Sequence, residues 1–316
     1  MGVWIKKGLV FDTARHSVGA WMRHSALTPT PWRISDELVR VYAGFRDAEG
    51  VSRIGYVDVR ADDPAHIVHV GAEPVLDIGR DGCFDDNGMI LGDLVDTPDG
   101  LHMFYVGFQR VAKAKFLAFT GLAISRDGGL HFERAQETPI LDRAPGRSTI
   151  GAVHSVLHEN GRWRMWYAVG DDWEFIDGHP FPRYHIRYAE TTDPRIFPRQ
   201  DHPCLQPSGS EYRIGRPRVY RDGDKYVMYF TRGNVTGEYF PGVAYSKDGT
   251  RWERRDEAFG VPLSESGWDS RTICYPALIR HRDKLLMFYN GNDMGVDGFG
   301  VAEFHDGADG GLHVHA

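Results

Sequence analysis

The chain has 316 residues, with 37 Lys and Arg against 44 Asp and Glu and a net charge of −7. That mild acidity lacks the basic footprint of a nucleic-acid binder, and no apolar run approaches the ~20 residues of a membrane helix. Cys83, Cys204 and Cys274 form no CxxC pair, which argues against a disulfide framework or a zinc ribbon. The start, MGVWIKKGLVF, has too short an apolar stretch for a secretory signal, so a cytoplasmic protein with reduced thiols is expected. Glycine, at 37 residues, is roughly 12% against an average of roughly 7%. Together with 17 Phe, 14 Tyr and 8 Trp, it points to short strands joined by tight turns.

Taken in chain order, five segments share one pattern: LVRVYAGF (38–45), LHMFYVGF (101–108), RWRMWYAVG (162–170), KYVMYFTRG (225–233) and KLLMFYNGN (284–292). Their tyrosines, Tyr42, Tyr105, Tyr167, Tyr229 and Tyr289, are spaced by 63, 62, 62 and 60 residues. A third strand follows each: IGYVDV (54–59), GLAISRD (121–127), HIRYAETT (185–192), GVAYSKD (242–248) and GFGVAEF (298–304). Ser125-Arg-Asp127-Gly and Ser246-Lys-Asp248-Gly read as hairpin turns leading into a fourth strand. No long 3.6-period segment appears, so the chain is read as all-β. Five repeats of four strands fit a five-bladed β-propeller of four-stranded antiparallel blades around a central funnel. One domain is expected over 1–304, with a loose polar tail, 305–316. The Met and Tyr columns are read as core.

With its S-x-D-G-x-x-aromatic turns and five repeats, the chain resembles the propeller glycosidase superfamily of arabinanases, β-xylosidases, invertases and mannoside phosphorylases. The last repeat, Gly267-Trp-Asp269-Ser-Arg271 through Tyr275-Pro276 to Asn290-Gly-Asn292, is similar to glycosidase-like proteins of unassigned activity. The resemblance implies that the innermost strand of each blade lines the funnel. Counting back from the tyrosines aligns His24-Ser25, Gly92-Asp93, His154-Ser155, Arg216-Pro217 and Tyr275-Pro276 at those places, with a longer Thr28-to-Ile34 turn in the first repeat. The acids that arabinanase-like families carry there are replaced by His24, His154 and Gly215-Arg216-Pro217, so no catalytic set is carried over.

Glycoside hydrolysis normally uses two carboxyl groups. The acids entering the aligned strands are Asp85, Asp86, Glu211 and Asp269, of which Asp86, Glu211 and Asp269 stand five or six residues before the aligned position, with Asp93 inside a strand. Each reads as a catalytic carboxylate or as a turn-capping one. His24 and His154 serve either as acid and base or as bonded structural histidines. Arg23, Arg213, Arg216 and Arg271 suit a carboxylate or phosphate on a substrate, or balance the acids. Tyr275 and Trp268 suit an apolar wall against a sugar ring or wedge packing, and Trp173, in the segment 171–184, suits sugar stacking or a subunit contact. The segments Gln109–Thr120 and Asp171–Tyr184 are read as long functional loops, or as a subunit contact. No metal spacing is present, and neither metal nor cofactor is expected. Three functions stay open: a carbohydrate-active enzyme of glycosidase-like type on a small glycoside or sugar conjugate; a lyase, cyclase or isomerase using His and Arg on an anionic small molecule; and a non-catalytic sugar-binding propeller. The expected partner is a small, sugar-containing molecule, anionic in the second reading, and the oligomeric state is left between monomer and homodimer.

Overall fold

Alternating apolar and polar residues become strands almost throughout the chain, in a computed structural model that describes residues 2–236, 239–305 and 314–315. After β1 (Val3–Phe11) comes an antiparallel run of β2 (His24–Arg33), β3 (Leu38–Arg46), β4 (Ser52–Arg60) and β5 (Ile67–Val70). A second run is β6 (Met89–Thr97), β7 (Gly100–Val111), β8 (Ala114–Ser125) and β9 (Glu133–Arg134). A third is β10 (Ile150–Glu159), β11 (Arg162–Ile176), β12 (His179–Thr191) and β13 (His202–Leu205). Next come β14 (Glu211–Asp222), β15 (Lys225–Asn234), β16 (Tyr239–Ser246) and β17 (Glu253–Arg254), adjacent in that order. The last run is β18 (Cys274–His281), β19 (Lys284–Asn290) and β20 (Phe299–His305), and β1 pairs along β20 to complete that sheet. The chain is all-β, as expected. Among the described residues no helix is long and apolar enough to cross a membrane.

The chain divides into two compact units. The first holds Met1–Pro74, Tyr220–Phe230 and Tyr239–Ala316, and the second holds Val75–Val219 and Thr231–Glu238, so β14 and β15 are divided between them. In the first unit, Phe11 stacks on Phe299 at 5.8 Å and meets Phe45 edge-on at 5.3 Å. In the second, Phe104, Trp163, Met165 and Tyr167 form one buried cluster. All five repeat tyrosines, and Met103, Met165, Met228 and Met287, are buried, so these columns are core.

A phenol hydroxyl taken out of water needs a partner, and three repeats supply one in the same way. Tyr105 donates to Asp85 at 3.1 Å, Tyr289 donates to Asp269 at 2.9 Å, and Tyr167 donates to Asp201. A cation closes each group: Arg134 on Asp85 at 2.8 Å, Lys6 on Asp269 at 2.6 Å, and Arg187 on Asp201. An aromatic residue just before two of these aspartates stacks on the same tyrosine, Phe84 at 5.8 Å and Trp268 at 5.1 Å.

The expected hairpin turns are present. Ser125 Oγ accepts from Gly129 N at 2.9 Å, and Asp127 Oδ1 accepts from Leu130 N and His131 N at 3.1 Å. Ser246 and Asp248 repeat the arrangement with Gly249, Thr250 and Arg251.

Three sequence expectations change. Gln109–Thr120 and Asp171–Tyr184 are not loops but the outer ends of paired strands, β7 with β8 and β11 with β12. The second closes at Asp177 (φ 49°) and Gly178 (φ 78°), the left-handed pair that a two-residue hairpin turn requires. The Thr28-to-Ile34 turn is absent too, since all but its last residue lies in β2. Most of the tail lies outside the described residues, although β21 (Val314–His315) pairs with Arg221 and Asp222 of β14.

Candidate functional site

In several repeats the strand paired with the repeat tyrosine carries an irregularity opposite that tyrosine or beside it. Register breaks fall between Leu27 and Thr30, Leu91 and Asp93, Val153 and Ser155, and Cys274 and Ala277. Such bulges bend a strand and re-aim a side chain. Thr28 (φ 55°), Arg216 (φ 52°) and Tyr275 (φ 55°) all lie in the left-handed region, and each is followed by proline. For residues bearing a Cβ this conformation is strained by about 1–3 kcal/mol and is concentrated at working sites. The first repeat carries two such breaks, one at Ser25 (φ 62°) beside His24 and one at Thr28-Pro29, and the one next to the partner of Tyr42 is at Thr28-Pro29, which corrects the alignment of that repeat. His24 stands four residues earlier, opposite Arg46 at the start of β2, and does not share the place of His154.

In the second unit the bulge residues build a buried polar cluster. His154 is 6% exposed, and its Nδ1 takes an N–H from Arg216 at 3.0 Å. A guanidinium can only donate, so the imidazole proton sits on Nε2, which has no partner among the described residues. The Arg216 guanidinium is also held by the Leu91 carbonyl. Two residues on, Arg218 reaches Asp93 Oδ1 at 2.6 Å and Gly92 O at 3.1 Å. Asp93 is completed by Val156 N at 2.7 Å and Leu94 N at 2.8 Å, and Ser155 Oγ accepts from Val219 N at 2.9 Å. Gly92 permits the approach, since a Cβ there would lie 2.2 Å from the Val153 carbonyl oxygen. Burial, then Arg216 and Arg218, holds the His154 pKa well below 6.5. Burial also pushes the Asp93 carboxyl upward, against the pull of Arg218.

Around Arg213 the same unit gathers aromatic rings: Tyr212 at 4.7 Å, Phe181 at 5.9 Å and Tyr184 at 6.0 Å. Lys115 lies 4.8 Å from Phe181. Trp173 is half-buried on the extended β11–β12 hairpin, opposite Pro182. Glu211 opens β14, paired with Arg232 at 3.2 Å and accepting from Ser208 N at 3.0 Å. Asp86 accepts from Gly82 N at 2.8 Å and so closes its own turn.

In the first unit, Asp269 is the buried partner of Tyr289 and Lys6 already described. The residue that matches it in the second repeat is Asp85, whose separation from its tyrosine, 20, is the same; the expected match with Asp86 is off by one. Arg271 pairs with Asp293 on the surface, Arg23 is exposed, and the His24 ring meets Ser25 Oγ at 3.1 Å. Tyr275 lies 5.9 Å from the Tyr239 ring. Asn290 bonds Thr28 N, Ala26 O and Gly298 O, tying β19 to β2. Among the described residues no three His, Cys, Asp or Glu side chains gather closely enough to hold a metal ion.

Sequence reasoning missed Arg218, Arg46 and Asn290. Arg218 had a signal, because it shares a strand face with Arg216 two residues away. The other two depend on cross-strand register that no local pattern discloses.

No family model matches the chain. A search of curated proteins finds the Mycobacterium tuberculosis protein described as Uncharacterized protein Rv1502, 33% identical over 302 residues, covering 95% of this chain and 98% of that one. The counterpart from a second strain, MT1551, matches equally. The chain belongs to this family. Similar solved structures include a glycoside hydrolase at TM-score 0.71 and 18% identity, covering 94% of this protein and 90% of that one. A structure described as a BT0996 RGII complex matches at 0.69 and 19%, covering 96% and 92%. A structure described with a GH130 family of mannoside phosphorylases that contains glycoside hydrolases targeting β-1,2 mannosidic linkages matches at 0.69 and 16%, covering 98% and 96%. At these identities the likeness is one of fold, and it is the propeller-type glycoside hydrolase fold expected from the turns and repeats.

Proposed function

We propose that this member of the Rv1502 family is a carbohydrate-active enzyme of glycosidase-like type, acting on a small glycoside or sugar conjugate. Five runs of four strands, the last completed by β1, support a reading as five blades with their inner strands around a central funnel. The observation that carries the chemistry is His154, whose Nδ1 is fixed by Arg216 and whose Nε2–H is left to donate a hydrogen bond to a substrate oxygen. A neutral imidazole held in this way can steady an oxygen on which negative charge develops, and one such positioned donor contributes about 10²–10³-fold to rate. Glu211, paired with Arg232 at the start of β14, is the carboxylate we assign to the chemistry, and Arg213 with its aromatic surround and Trp173 supply a face for a sugar ring. The similarity to glycoside hydrolases, one described as an RGII complex, supports the sugar class of substrate. Asp269 is left out of the chemistry because Tyr289 with Lys6 takes it; Asp86 and Glu211 each accept a turn amide, and Glu211 is preferred for its place on β14 two residues from Arg213.

A panel of aryl glycosides with the full chain tests this. Turnover is expected, reduced at least about 10²-fold in His154→Ala and Glu211→Gln and retained in Asp86→Asn. Turnover unchanged in both of the first two variants would overturn the assignment. A second reading, a lyase, cyclase or isomerase on an anionic molecule, is favoured by one observation: no carboxylate stands at the bulge positions Thr28, Gly92, His154, Arg216 and Tyr275. A blank glycoside panel with turnover of anionic metabolites would select it. Sugar binding without turnover of either class would select a non-catalytic propeller.

A further inference from the structure

Arg46 ends β3 in the first unit, opposite His24 of β2 in register and half-buried. Several other arginines withdrawn from water meet a carboxylate: Arg40 meets Asp58 at 2.8 Å, Arg53 meets Asp47 at 2.7 Å, and Arg134 meets Asp85 at 2.8 Å. Arg46 has none. Among the described residues its guanidinium makes no hydrogen bond or ion pair; the nearest acid in sequence, Asp47, is taken by Arg53 and by the amides of Glu49 and Val51. Burial lowers the pKa of the Arg46 guanidinium, against the pull of the Tyr275 phenol.

An uncompensated charge in this setting is costly. Folds keep such a group when something outside the chain completes it. Tyr275 of β18 acts on it electrostatically, and its backbone is held in a strained left-handed conformation. His24 shares the sheet face across the β2–β3 pair. We propose that Arg46, with Tyr275 and His24, binds an oxyanion, the carboxylate or phosphate of a ligand or free inorganic phosphate. The guanidinium fork matches two oxygens of either group, and a phenol adds a third donor. This goes beyond the glycosidase-like reading and requires no turnover, so that reading fails or stands on the glycoside panel independently.

The test is thermal stability and calorimetry of the full chain with inorganic phosphate, glucuronate, glucose or sodium chloride at matched ionic strength. Saturable stabilisation by phosphate or glucuronate, and none by glucose or chloride, is expected. A response to glucuronate alone identifies a sugar carboxylate, and a response to phosphate alone identifies a phosphoryl group or the free ion. Arg46→Gln is expected to weaken binding on the order of ten- to a hundredfold, and Arg46→Lys less, because it keeps the charge without the fork. Unliganded Arg46→Gln should melt at or above the wild-type temperature, since it removes a charge with no partner. Equal stabilisation of wild type and Arg46→Gln, no response to either oxyanion, or a melting temperature lowered by several degrees in unliganded Arg46→Gln would each overturn the proposal.

Discussion

The hydroxyl of Tyr289 donates to the Asp269 carboxylate at 2.9 Å, and Lys6 meets the same oxygen at 2.6 Å. Tyr105, Asp85 and Arg134 form the same arrangement in the second repeat. Asp269 is therefore a fold residue. Asp269→Ala should lower stability by about 3–5 kcal/mol, because a phenol and an ammonium lose a buried partner together. Asp85→Ala should cost a similar amount. Denaturant unfolding of both variants checks this. A stable Asp269→Ala protein that has lost turnover would instead make the residue catalytic.

His154 carries a pH prediction. Burial, Arg216 and Arg218 keep its folded-state pKa well below 6.5, the usual value, which the unfolded chain regains. Below about pH 6.5 the unfolded chain takes up a proton that the folded chain refuses, so this residue makes stability fall as pH falls. His154→Gln should flatten stability between pH 6.5 and the folded-state value. Ring-proton NMR should show His154 neutral at pH 6. A His154 resonance titrating near 6.5 would show that the Arg216 contact does not hold it.

How much of this was legible beforehand follows from what each feature depends on. The tyrosine and methionine columns were readable because the same position is buried in every repeat, which leaves a period of about 60 residues in the sequence. The Asp269 role was half legible: Trp268-Asp269 and Phe84-Asp85 share one spacing to their tyrosines, but counting six residues back from the aligned strand positions matched Asp269 with Asp86. The long hairpin at Asp177-Gly178 had its turn signal in plain view, yet the length of the segment suggested a loop. Arg46 was out of reach, because its lack of a counter-ion depends on Asp47 turning to Arg53.

The β11–β12 hairpin yields a further expectation. Gly178 holds φ 78° at the turn, where a Cβ is strained though no atom obstructs it. Gly178→Ala should cost about 1 kcal/mol, felt locally. Hydrogen exchange should rise across Trp173–Phe181 and stay unchanged at Met103. Exchange unchanged in the hairpin would show that its register does not depend on this turn.

The cysteines separate by environment. Cys83 and Cys204 are partly exposed, whereas Cys274 is buried at the start of β18 with its Sγ facing the Gly291 carbonyl. Burial pushes its thiol far up, so almost no thiolate forms near pH 8. A native protein treated with an aromatic disulfide reagent should therefore release two equivalents quickly, and the third only when unfolded. Mass mapping should place the slow site at Cys274, and denaturant should raise its rate in step with global unfolding. Fast native modification of Cys274 would mean that the β18 bulge opens without the rest of its sheet, and the left-handed Tyr275 next to it would be the hinge to examine.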